Sequence, residues 1–95
     1  MTTNDLLIML LADLGEPNAS TARKTWLELQ INAAIAFIRT EGVQLSAPYS
    51  VEDGALIIMY AAYLVRKRDT TEAMPRMLRW ALNNRIFKAT AEASE

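Results

Sequence analysis

From Ala55 to Val65 the chain runs through eleven residues whose only polar groups are two tyrosine hydroxyls. That length falls well short of the roughly 20 residues that cross a bilayer, so the run reads as a helix inside a protein core. Its flanks carry helix signals. Ser50 and Asp53 have capping-box spacing, and Glu52 adds negative charge where the helix dipole favours it. Arg66-Lys67-Arg68 supplies cations at the far end, each stabilised there by roughly 0.3–1 kcal/mol. The segment predicts a helix from Val51 to about Arg68, apolar nearly all round and therefore buried on more than one side. Gly54 weakens that helix relative to alanine, a cost repaid if another backbone packs close to it.

The remaining segments read as helices arranged around this one. A first helix is expected from about Asn4 to Leu14, with Thr2 and Asp5 in capping-box spacing and Gly15 as its stop. A second begins at Ser20 or Thr21 and ends at Gly42. Leu27, Ile31, Ala34, Ile35 and Ile38 give it one apolar stripe, which Trp26, Ala33 and Phe37 widen. The two aromatic residues are read as core rather than as a ligand pocket. Residues 43–48 form a connector, because Pro48 disfavours helix at Ala47. Pro75 suits the first position of a fourth helix, which runs to about Lys88 with Leu78, Leu82 and Ile86 inward and Arg76, Arg79 and Asn83 on another face. Residues 89–95 are expected to fray. No segment alternates with the period of two that an exposed strand requires. The fold class is all-α, a small bundle of about four helices with a buried central helix, in a single domain spanning the 95 residues.

Composition restricts the chemistry. The chain has neither cysteine nor histidine, so thiolate nucleophiles, imidazole bases, Ser-His-Asp triads and most zinc sites are excluded. Glu52 and Asp53 are adjacent, and neighbours on a helix point apart, so they read as capping groups rather than an acid–base pair. Tyr60 and Tyr63 fall on one side of the central helix and read as core. Asn83-Asn84 sits inside a predicted helix, where the amides are expected to reach a neighbouring loop or subunit. No catalytic residue, cofactor or metal ligand is expected. The start of the chain has no secretory-signal pattern, which predicts a cytosolic protein without a membrane span.

Hydrophobic residues make up 52% of the chain, enough to leave apolar surface for a partner, and the net charge is −1. Charge is distributed unevenly along the sequence. Residues 1–65 hold three basic against seven acidic residues, whereas Arg66 to Lys88 holds seven basic against two acidic. The basic stretch is either a solvated face or a surface for an acidic partner.

The segment from Tyr60 to Asn84 resembles the head–tail connector, or head-completion, proteins of tailed bacteriophages and prophages. The similarity rests on a buried helix carrying Tyr60 and ending in Arg66, Arg68 and Asp69, then Met74-Pro75, then a final helix with Leu78, Leu82, Asn83 and Asn84. It covers about the C-terminal third closely, and the N-terminal part agrees in plan. The resemblance implies a structural virion subunit, made in the bacterial host cytoplasm, that catalyses nothing. Its partners would be copies of itself in a dodecamer-like ring in the virion, built from subunits that can be monomeric alone, the portal protein, and the next connector or tail-completion protein. DNA would pass through the ring without sequence-specific binding. The pattern marks Trp80 and Phe87 as apolar assembly contacts and Arg76, Arg79 and Arg85 as polar ones. The alternative is a small helical DNA-binding protein, a phage repressor or packaging subunit, with the fourth helix in the major groove. The net charge and the Leu/Ile content of that helix count against it.

Overall fold

Short-range capping sets where each helix begins. The Thr2 hydroxyl accepts from the Asp5 amide while the Asp5 carboxylate accepts from the Thr2 amide, a complete capping box. The Ser20 hydroxyl accepts from the Arg23 amide and the Ser50 hydroxyl from the Asp53 amide, at 3.2 and 3.1 Å. In the computed structural model, which describes residues 1–67 and 73–93, these caps open α1 (Thr3–Asp13), α2 (Thr21–Thr40) and α3 (Val51–Lys67); α4 is Arg76–Ala93. There is no strand among the described residues. The chain is an all-α bundle, as its periodicity predicts.

Helix ends are equally local. Gly15, at φ +71°, lets the Glu16 amide donate back to the Leu11 carbonyl at 2.8 Å and its own amide to Ala12, a Schellman closure that needs a left-handed residue. The Pro75 carbonyl accepts from the Arg79 amide at 3.1 Å. Pro75 therefore stands one position earlier than expected, as the residue that caps α4, where its missing N–H is equally harmless.

α3 is the central helix: α1, α2 and α4 all pack against it. Its Leu56, Ile57, Ile58, Tyr60, Ala61 and Val65 are buried, together with Leu6 and Leu10 of α1, all five stripe residues of α2, and Leu78 and Leu82 of α4. Leu64 is only half-buried at the margin of this core. Gly54 is buried, but side chains rather than another backbone approach it: a Cβ there would lie 2.5 Å from the Met1 Sδ and 3.3 Å from a Leu6 methyl.

Three further expectations differ from the structure. The connector is not mere linkage: Val43, Leu45 and Tyr49 are buried, the Arg39 guanidinium donates to the Leu45 carbonyl at 2.7 Å, and the Tyr49 amide donates to Met1 at 2.8 Å. Phe37 is 47% exposed and lies on the Tyr60 ring at 5.9 Å, at the rim rather than in the core. Residues 89–93 continue α4 instead of fraying. Alanine and glutamate are good helix formers, and the Thr90 hydroxyl is satisfied by the Ile86 carbonyl at 3.0 Å. Between α3 and α4 the sequence reads as a turn over 69–74, of which residues 69–72 lie outside the described residues together with Arg68, as do residues 94–95 of the tail.

Candidate assembly surface

α4 is apolar on two sides. Leu78 and Leu82 are one turn apart and 1% and 0% exposed, with Ala81, Arg85 and Ile86 half-buried around them. Across the helix, Met77, Trp80 and Phe87 fall at i, i+3 and i+10, close to one line at 3.6 residues per turn. They are 68%, 65% and 78% exposed. A stripe of three large apolar side chains facing water is not explained by this chain's own core, which α4 already reaches through its other face. Trp80 and Phe87, marked in the sequence as apolar assembly contacts, are exposed on this face; Met77 extends the stripe and was visible in the sequence only as the residue three before Trp80.

The cations around this helix are mostly committed within the chain. Arg66 pairs with Asp13 at 3.5 Å, Arg79 with Glu41 at 3.7 Å, Arg85 with Asp53 at 2.8 Å and Lys88 with Glu52 at 3.6 Å. Lys67 lies 5.7 Å from the Tyr63 ring. Folding therefore brings the basic stretch against the acidic first part of the same chain. Arg85 in particular is not a surface contact. Its side chain is 18% exposed, its Nε is bonded to Asp53, and that hydrogen bond holds the guanidinium pKa above its ordinary value. Glu52 and Asp53 accordingly hold cations of α4, while the cap of α3 comes from the Ser50 hydroxyl. Arg76 is exposed at the first turn of α4 and has no carboxylate within 4 Å among the described residues.

The residues from Tyr60 to Asn84 singled out in the sequence divide by role. Tyr60, Leu78 and Leu82 are core, and Met74 packs against it. Burial pushes the Tyr60 phenol above its usual pKa, with the Glu41 carboxylate adding to the effect. Asn83 and Asn84 are exposed, and the Asn83 carbonyl accepts from Arg79 one turn earlier at 3.3 Å. That amide is satisfied on its own helix rather than by a loop. Arg68 and Asp69 lie outside the described residues.

Among the described residues no group of three acidic, histidine or cysteine side chains is placed to hold a metal ion, and no helix is long and apolar enough to cross a membrane. No protein-family model, characterised protein or solved structure matches this chain.

Proposed function

We propose that this chain is a structural virion protein, a head–tail connector subunit that assembles as a ring beneath the portal, extends the DNA channel and offers a platform for tail attachment. The observation that carries this reading is the second apolar face of α4. Met77, Trp80 and Phe87 project from the helix that follows Met74-Pro75, the point where the sequence resembles the connector family. Side chains of this size cost solvation free energy when left in water and return it when covered, at roughly 25 cal/mol per Å² of apolar surface.

The ion pairs favour a connector over the DNA-binding alternative. Arg79, Arg85 and Lys88 of α4 each face a carboxylate of the same chain, which leaves few cations to displace counterions from a duplex. A surface so balanced suits a ring through which DNA passes without sequence readout. The test is reconstitution with the portal protein of the same genome, followed by sedimentation and negative-stain imaging. The expected result is additional ring-shaped density beneath the portal. Failure to co-sediment at any salt concentration would reject the connector reading, and tight sequence-dependent binding to short duplex DNA would install the alternative.

A further inference from the structure

α2 also has two apolar faces. Leu27, Ile31, Ala34, Ile35 and Ile38 point into the core. Away from them, Ala22, Trp26, Leu29, Ala33 and Ala36 recur at alternating steps of four and three, the 3.5-residue period of a helix that packs along another helix; Ala22, Leu29 and Ala36 are exposed, Ala33 is half-buried and Trp26 also packs against the core. No charged residue interrupts that line. Leu29 is 60% exposed, and a shallow depression opens beside it between Ala22, Thr25, Trp26, Glu28 and Asn32. Arg23 stiffens one edge of this depression: it makes two bonds to Glu16, at 2.9 and 3.0 Å, and lies 4.9 Å from the Trp26 ring.

The exposed faces of α2 and α4 are complementary. The α2 line is built of three alanines beside Leu29 and the half-buried Trp26; the α4 line presents large exposed side chains, with Trp80 and Phe87 also seven residues apart. Small residues make holes and large ones make knobs, and matching periods keep successive knobs over successive holes. Charge agrees as well. Glu28, on the edge of the α2 depression, has no cation within 4 Å among the described residues, and Arg76, one turn before Trp80, has no carboxylate.

We infer that the outward face of α4 in one copy docks against the outward face of α2 in the next, with Trp80 entering the depression beside Leu29 and Arg76 meeting Glu28. The two faces differ, so the contact is heterologous: each copy keeps one α2 face and one α4 face free for further neighbours, and growth proceeds head to tail until it closes or continues as a filament. The inference rests on the connector reading only for the idea of a ring. The contact itself joins two copies of this chain and needs no portal.

Two variants test it by complementation. Trp80→Glu with Phe87→Glu disables the α4 face, and Leu29→Glu with Ala36→Glu disables the α2 face; all four side chains are exposed, so circular dichroism melts should match wild type. In sedimentation velocity, wild type should form species larger than a dimer as concentration rises, and each variant alone should stay monomeric. An equimolar mixture of the two variants should stop at a heterodimer, because a single intact pair of faces remains. If either glutamate variant unfolds, serine at the same positions replaces it. The inference is overturned if wild type is monomeric at its solubility limit or stops at a dimer, if the α2 variant assembles alone, or if the mixture stays monomeric. A heterodimer together with failure to dock on portal would keep this contact and reject the connector.

Discussion

Arg85 Nε donates to Asp53 Oδ1 at 2.8 Å, joining the middle of α4 to the first turn of α3 across 32 positions of sequence. Both side chains are more than four-fifths buried, and the Arg85 Nη1 is enclosed without a hydrogen-bond partner among the described residues. The pair ties α4 to the central helix beyond the reach of Leu78 and Leu82, and so fixes the direction in which Trp80 and Phe87 project.

Removing one member of this pair strands the other. Asp53→Asn or Arg85→Ala should each destabilise the fold by about 2 kcal/mol, most of it the desolvation cost of the group left behind. Asp53→Leu combined with Arg85→Met should recover most of that loss, since a buried pair replaced by apolar side chains is often neutral. Urea unfolding of the single and double variants measures the coupling. A wild-type midpoint for Arg85→Ala would show that the bond contributes nothing to stability.

The pairing also marks where reading the sequence stops. Helix starts at Thr2, Ser20 and Ser50 were legible because a cap involves residues three apart, and the inward stripes were legible because burial follows the helical period. Asp53 carries a capping signal and an ion-pairing capacity at once, and its sequence neighbours cannot say that α4 will return to it. Burial of Val43 and Leu45 depends similarly on Arg39 reaching the Leu45 carbonyl, a contact invisible in periodicity. The outward line on α2 was present in the spacing of Ala22, Trp26, Leu29, Ala33 and Ala36. It shares Trp26 and Ala33 with the widening of the inward stripe, and Trp26 does pack against the core as that widening predicts.

Gly54 separates helix propensity from packing. Alanine gains about 1 kcal/mol in a helix interior relative to glycine, but here its Cβ displaces the Met1 thioether. That group is the flexible end of a side chain whose backbone is held by Tyr49, so it can swing aside. Gly54→Ala should therefore stay within about 1 kcal/mol of wild type, whereas Gly54→Leu should lose about 2–3 kcal/mol by forcing α1 away from α3. Thermal melts of the two variants check the difference. Equal melting temperatures for both would mean that α1 does not pack there.

Glu16 gives a pH-dependent signature. Its hydrogen bonds from Arg23 hold the carboxyl pKa below the ordinary glutamate value. As pH falls below that ordinary value, the unfolded chain takes up a proton before the folded one does. The contribution of this pair to stability is thus complete above the unfolded pKa and is lost as pH falls through the folded one. A carboxyl-resolved NMR titration should place the Glu16 midpoint below the ordinary glutamate value, and Arg23→Ala should raise it. A Glu16 midpoint that Arg23→Ala leaves unmoved would show that the pair does not form in solution.

Arg76 and Arg79 sit on neighbouring faces of α4, carry the same charge, and should respond oppositely to reversal. Arg79 faces Glu41 at 3.7 Å and bonds Asn83, with the ion pair nearly half exposed on each side. Arg79→Glu replaces that attraction with repulsion inside one chain, at a cost of about 0.5 kcal/mol that salt reduces. Arg76 has no such carboxylate to lose among the described residues, so Arg76→Glu should leave the melting temperature unchanged. If Arg76 meets Glu28 of the next copy, however, its reversal should weaken association most at low ionic strength, where unscreened charge sets orientation and encounter rate. Adding Glu28→Arg to Arg76→Glu swaps the pair and should restore assembly, which a merely solvated arginine would not do. Sedimentation of the three variants across a salt series decides the matter: wild-type association by Arg76→Glu at low salt, or no recovery in the swapped chain, removes Arg76 from the interface.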